Sequence, residues 1–534
     1  MISSSRARRF AAAVAVAGTA LGLATVALPA QAAAASYTPP AIAWHTCAGS
    51  TLASAGARCG FLIVPLDYSH PGGRKIKIAV SRVRHKVSAK HYQGVMIVNP
   101  GGPGGSGLDF PAFMPGWLPG HAAANAYDWI GFDPRGVGAS RPALSCDPKF
   151  FAAPRPAYRP TTAALHHAWV VRSKHYAAAC ANTATKRALI HHVRTVDTVR
   201  DLESLRIALH RKRINYYGFS YGTYIGEVYA TLHPDRVRRF VWDGTVNPRR
   251  VFYLDNQDQD RAFQRTFNIF FAWLAKYPTV FHLGTSAHAI ADGFRAEVKK
   301  LDKHPAGGKL GGDELIDALT DAGYYVYNWT NIGKAYAKLI NSGDGSDLLS
   351  MYRSANPTGP GDDNSYAMYL ATQCTDAPWP RSQSQLDADN WQLDAKYDYF
   401  TWSNAWFNGP CAYWHAKAHA PVKVTGRHLR VRILMIGETY DAATPFSGSL
   451  VVRRMFPTAR LIEGRNGSTH AGSLSGVSCT DDTIARYLLR GTLPARRSGN
   501  RADKVCPPVQ QPNPTTPALG TAVVPTLAAA LVRG

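Results

Sequence analysis

Residues 215–226 read NYYGFSYGTYIG. A single serine, Ser220, stands between Gly218 and Gly222, directly after a short apolar and aromatic run. Glycines on both flanks remove side chains where a backbone turns hard, which suits a serine held out on a sharp corner. With 46 glycines in 534 residues, a G-x-S-x-G arises by chance on the order of once in four such chains. The pentapeptide is a lead, and its surroundings decide what it means.

Those surroundings alternate. GFLIVPLDYSHPGG (60–73) and KIKIAVSRVRH (75–85) read as two strands joined by a Pro-Gly turn. GVMIVNPGGPGGSG (94–107) is an apolar strand running into a glycine-rich loop, and YDWIGFDPRGVGAS (127–140) a strand ending in a tight turn. Val196, Val199, Leu202, Leu205 and Leu209 recur at helical spacing. INYYGFS (214–220) is the next strand, YGTYIGEVYATLHP (221–234) the helix leaving it, and RRFVWDG (238–244) a further strand. This order over about 94–245 predicts an α/β fold, a mainly parallel sheet flanked by helices. From 247 to 425 the pattern turns helical and rich in Tyr and Trp; it resumes with HLRVRILMIGE (428–438) and ARLIEG (459–464).

Ser220 therefore lies at a strand-to-helix corner, the place of a nucleophile elbow. A serine hydroxyl needs a base, and the base an orienting carboxylate. Asp441 follows the strand in ILMIGETYDAATP (433–445), and His470 follows the next strand in LIEGRNGSTHAG (461–472). The chain order Ser, Asp, His is the one this architecture uses. Glu438 is an alternative acid, and Thr444 a candidate to steady the acid loop. The oxyanion donors are expected from the backbone of Tyr221 and from the loop 99–107. No GK[ST] follows that loop, so it is not a P-loop.

NPGGPGGSG, GFDPRGVGAS, YYGFSYGTYIG and GETYDAATP together closely resemble the prolyl-aminopeptidase-like branch of the α/β-hydrolases, nearest to the secreted tripeptidyl aminopeptidases of actinomycetes and their mycobacterial relatives. The resemblance covers about 40–250 and 425–506. Pro100 stands where that family's HGGPG loop has His, and Thr469 and Ala471 flank His470 in place of two glycines. The resemblance implies Gly102 as the second oxyanion donor and a structural role for Asp133 and Arg135. It implies an α/β-hydrolase fold with a large helical cap inserted before the acid residue. It also implies a serine exopeptidase that releases short peptides, tripeptides in particular, from free N-termini, with neither cofactor nor metal. An aminopeptidase needs acidic groups for the substrate ammonium. Candidates are Asp376, Asp243, Asp255 and Asp258, with Trp379, Trp406 and Phe407 as pocket walls. An esterase of the same fold, a non-catalytic binding protein and a basic wall-associated protein are the competing readings.

Arg6, Arg8 and Arg9 precede the apolar run 10–28, and Ala30-Gln31-Ala32 forms a small-x-small site, the pattern of an export signal removed after Ala32. The expected organisation is a signal peptide at 1–32, a first core part at 33–246, a helical cap at 247–425, a second core part at 426–505 and a Pro- and Ala-rich end at 506–534. Eight cysteines in an exported chain favour four disulfides. Pairing of chain neighbours, 47–59, 146–180, 374–411 and 479–506, closes the smallest loops. The net charge is +24, but the basic residues are scattered and carry no nucleic-acid signature. The expected partners are peptides with a free N-terminus. No nucleic acid and no membrane insertion are expected; loose wall association is compatible with the charge, and the oligomeric state is open. Amino-terminal sequencing of the exported protein should read from Ala33, and an intact residue 1–32 segment would contradict the signal reading.

Overall fold

In the computed structural model the described residues are 37–516. The expected signal segment and residues 517–534 lie outside them. Among the described residues ten strands form one sheet: β1 (His45–Thr46), β2 (Arg58–Pro65), β3 (Lys75–Val83), β4 (Val95–Asn99), β5 (Asp128–Phe132), β6 (Ile214–Phe219), β7 (Val237–Asp243), β8 (Ile433–Glu438), β9 (Arg460–Gly464) and β10 (Lys504–Cys506). Their order is β1-β2-β3-β5-β4-β6-β7-β8-β9-β10. The pairs up to β3–β5 are antiparallel and all pairs from β5–β4 onward are parallel. Every residue of β4, β5, β6 and β8 is buried, as a parallel sheet covered on both faces requires.

The register places the site. Asn99 pairs with Gly218, Phe219 with Asp243, and Asp243 with Ile436, while Glu438 pairs with Gly464. The chain thus leaves β4, β6, β7, β8 and β9 at one edge, where strand order reverses around β4 and a crevice opens. The turn after β5 stitches this edge together. Asp133 accepts from Ser106 Oγ at 2.5 Å, Gly107 N–H at 3.1 Å and Ala139 N–H at 2.7 Å. Arg135 donates to both oxygens of Asp201 at 2.7 Å and to the carbonyls of Leu66 and His192.

Between β7 and β8 lie nine α-helices, from Tyr253–Ala275 to Thr401–Asn408, packed on an aromatic core that includes Phe263, Phe267, Phe270, Trp273 and Trp329. A second segment joins them. The helix Ala163–Ala179, between β5 and β6, brings Trp169 into a stack on Trp406 (5.9 Å, 11°). Just before it, buried Arg155 meets Asp313, Glu314 and Asp317 at 3.1, 3.2 and 2.7 Å. The roof is therefore built from two stretches, and the first core part expected at 33–246 includes one of them. The sequence hid this because residues 140–190 carry no strong periodicity.

β10 (Lys504–Cys506) pairs with β9 and carries the sheet one residue into the end segment expected at 506–534. The four disulfides join the expected neighbours, Cys47–Cys59, Cys146–Cys180, Cys374–Cys411 and Cys479–Cys506. Among the described residues no helix is long and apolar enough to cross a membrane.

Replacing Asp201 by Asn leaves the Arg135 guanidinium buried without its counter-charge. Urea unfolding should show a loss of about 3–5 kcal/mol; an unchanged midpoint would contradict the clamp assigned to this pair.

Candidate active site

Ser220 sits at φ 52°, ψ −128°, a region non-glycine residues rarely occupy. The flanking glycines are needed for close approach. A Cβ on Gly218 would lie 2.5 Å from the Gly222 carbonyl oxygen, and one on Gly222 would lie 2.6 Å from that of Asn99. The corner is pinned by Ser220 N–H donating to the Asp243 carbonyl at 2.9 Å, and by Thr223 Oγ1 donating to the Ser220 carbonyl at 2.7 Å. Tyr221 opens the helix Tyr221–Leu232, so its N–H is among the first-turn donors that no helix carbonyl satisfies. Tyr221 and Gly102 line the same cavity as Ser220 and His470.

His470 Nδ1 lies 3.0 and 2.9 Å from the two oxygens of Asp441. The carboxylate is fixed by Ala443 N–H (2.9 Å), Thr444 N–H (3.0 Å) and Thr444 Oγ1 (2.8 Å). Burial disfavours the charged imidazole, but the charge and hydrogen bond of Asp441, with Asp243 behind, outweigh it and raise the ring above its ordinary value. Nε2 is buried and has no hydrogen-bond partner among the described residues. A base with its outer nitrogen unengaged, in a cavity shared with a strained serine and helix N–H groups, is fitted for acyl transfer. Ser220 Oγ is thus not hydrogen-bonded to Nε2 here, and a catalytic bond of this kind often forms or tightens only with substrate.

Two family models match the chain: alpha/beta hydrolase fold over residues 94–340 and TAP-like protein over residues 397–506. A tripeptidyl aminopeptidase of Streptomyces lividans is 37% identical over 484 residues, 89% of this chain and 88% of that one. Serine protease Hip1 of Mycobacterium tuberculosis is 29% identical over 464 residues, 82% and 86% of the two chains. Carboxylesterase B of the same organism is 30% identical over 473 residues, 85% and 89%. The chain belongs to the α/β-hydrolases, in their TAP-like branch.

In this hydrolase the cavity measures about 530 Å³ and is walled by both parts of the roof. Of the residues expected to bind substrate, Asp255 and Phe407 line it. The others do not. Asp376 accepts the Thr195 N–H at 3.1 Å and its hydroxyl at 2.5 Å, capping the helix Thr195–Ala208 from across the fold; burial, against these bonds, pushes it up to about 7. Asp243 is buried beneath the base and accepts the Ser473 N–H at 2.9 Å. Trp379 donates to the Gln373 carbonyl at 3.1 Å and lines a small separate cavity beside Asp260. Asp258 is held by Arg250 and Arg261, and Trp406 by stacking on Trp169 and Trp402. Glu438, the alternative acid, accepts Thr469 and Val509 N–H at 2.9 and 2.7 Å instead of meeting the imidazole. Burial, against those bonds, pushes it up to about 8.

The sequence reading missed the roof residues nearest the base. The Tyr324 carbonyl accepts the His470 N–H at 2.7 Å, the Tyr324 ring lies edge-on to the imidazole at 5.8 Å, and Gln259 donates to the Ala443 carbonyl at 2.8 Å. Asp317, Thr320, Asp321 and Tyr324 all line the cavity from one helix, Gly312–Tyr324. Their i, i+3, i+4, i+7 spacing is a polar stripe that marks a face turned to something other than core.

Gly222→Ala, which drives a methyl into Asn99, should slow labelling of Ser220 by a fluorophosphonate at least about a hundredfold, since displacements near 1 Å cost that much. A labelling rate within threefold of wild type would contradict the close-approach argument.

Proposed function

We propose that this is an exported serine aminopeptidase that removes short peptides, tripeptides in the first instance, from free N-termini through an acyl-enzyme. The observation that carries the reading is a charge reversal. In a chain of net charge +24, the cavity around Ser220 and His470 is lined by Asp255, Asp317, Asp321, Asp362 and Asp363, and by no Lys or Arg among the described residues. An ester needs no such surface; a peptide entering amino end first does. Asp317 is spent on Arg155 and Tyr158, and Asp363 on Ser145, Tyr176 and two backbone N–H groups. Asp255 and Asp321 are the proposed ammonium anchors. One oxygen of Asp321 is buried without a partner. Burial, with Asp258 repulsion added and Arg250 opposing, pushes Asp255 up to about 7, and burial holds Asp321 at about 6. The name of the Streptomyces lividans relative supports the three-residue unit, and four disulfides support an oxidising compartment.

In the proposed mechanism His470 Nε2 takes the Ser220 proton as Oγ attacks the scissile carbonyl. The Tyr221 and Gly102 N–H groups hold the oxyanion, and Asp441 stabilises the imidazolium. His470 then protonates the leaving amine. Water, deprotonated in its turn by His470, releases the acyl group and restores Ser220.

Three measurements test this. Mass spectrometry of products should show three-residue units from unblocked peptides and none from N-acetylated ones. Covalent fluorophosphonate labelling should vanish in Ser220→Ala. Asp255→Asn should raise KM for a tripeptide anilide about 10–100-fold, the worth of a charged hydrogen bond, and leave kcat/KM for a short acyl ester within threefold. A higher kcat/KM for short acyl esters than for tripeptide anilides would favour the esterase reading, and a folded protein that takes no label the binding reading. The pH sign follows. Asp255 must be ionised, so peptide KM should climb as pH falls through about 7 in wild type. The substrate amine must be protonated, so KM should climb again above about 8. In Asp255→Asn the climb on the acid side should flatten.

A further inference from the structure

The proposed mechanism leaves one carboxylate at its centre without a task. We infer that Asp243 is a positioning residue for the reaction. It couples the Ser220 corner to the His470 loop, and it holds a fixed negative charge beneath the imidazole for the imidazolium formed in each transition state. This rests on the Ser220, His470 and Asp441 assignment above.

The coupling is geometric. The Asp243 carbonyl accepts the Ser220 N–H at 2.9 Å, and its carboxylate accepts the N–H of Ser473 at 2.9 Å, three residues beyond His470. One residue at the end of β7 therefore ties down both loops whose spacing sets the serine-to-imidazole distance. Gly244 follows at φ 68°, and a Cβ there would lie 2.8 Å from His470 Cε1. The Asp243-Gly244 pair is thus the floor on which the ring rests.

The charge argument concerns the other carboxylate oxygen. Asp243 is 0% exposed, and its Oδ1 has no partner among the described residues, an expensive state for a carboxylate. Burial pushes it up to about 6, against the Ser473 bonds and the field of His470. The titratable groups that face it are His470, Asp441 and Glu438 from the base and acid loops, Tyr217 from β6 and Tyr327 from the roof. Of these only His470 can become a cation. With a neutral imidazole the Asp243 charge is unmatched; with an imidazolium it is matched. An interaction stronger in the transition state than in the ground state accelerates the reaction, and one built into the fold needs no reorganisation.

The test is Asp243→Asn, which keeps the shape and an acceptor for Ser473 and removes the charge. On a tripeptide anilide, kcat should fall about tenfold, the effect of one pKa unit, with KM within twofold. Because His470 loses an anion that raises it, the acid limb of the kcat/KM profile on a short acyl ester, which does not call on Asp255, should move to lower pH. An acid limb that stays at the wild-type position overturns the inference, whether activity is retained or lost together with thermal stability. If Asp243→Asn does not fold, the wild-type His470 ring is followed by NMR against pH. A two-step titration, the second step near 6, is expected from a coupled pair; a single step overturns it. Fluorophosphonate labelling of wild type, lost in Ser220→Ala, reports the underlying assignment separately, so the two failures are told apart.

Discussion

The backbone of Ser220 is held at φ 52°, ψ −128°, and the rest of the molecule is organised to keep it there. Such a conformation costs on the order of 1–3 kcal/mol and persists only where the surroundings leave no alternative. Here they are two glycines pressed against Gly222 and Asn99, the Asp243 carbonyl on the serine amide, and the fully buried strand β6 behind. The strain is useful because it presents one hydroxyl beside an unsatisfied helix N–H, at the edge where four neighbouring strands also end.

The second organising constraint is charge. The surface is strongly basic, while the reaction cavity holds a concentration of buried acids. Of the cavity's acids Asp317 is committed to Arg155 and Asp363 to the chain at 145–147, just as Asp133, Asp201 and Asp376 are committed elsewhere in the fold. Burial makes each such anion costly unless N–H groups or a cation meet it. That distinction sets Asp255 apart from the structural acids, while Asp321 accepts one bond from Asn328 and keeps its other oxygen unpartnered. The roof also meets the loops of His470 and Asp441, through the Tyr324 carbonyl on the His470 backbone N–H and Gln259 on the Ala443 carbonyl.

The legible part of the sequence was the part set by local pattern. The strands β2 to β9, the Ser220 corner, and the loops of Asp441 and His470 each announce themselves within a dozen residues, because strand period, glycine placement and chain order are local properties. Disulfide partners followed from chain proximity. What local pattern did not show is which of the candidate side chains reach the cavity: Asp255 and Phe407 line it. Asp376, Asp243 and Trp379 have the right chemistry and lie near the right motifs, but whether a carboxylate faces a cavity or a neighbouring N–H depends on contacts across the fold; Thr195 and Asp376 are far apart in the chain. β10 was too short to show a period, and the second roof segment was masked by alanine-rich helices with little amphipathic contrast.

The central claim is that three distant side chains and two backbone N–H groups converge on one reacting atom. A crystal structure of the protein carrying a covalently bound phosphonate tests it most directly. The account predicts phosphorus on Ser220 Oγ, a phosphoryl oxygen within hydrogen-bond distance of both Tyr221 N and Gly102 N, and His470 Nε2 turned toward the adduct with Asp441 still on Nδ1. An adduct on another residue, or an imidazole directed away from Ser220, would contradict it.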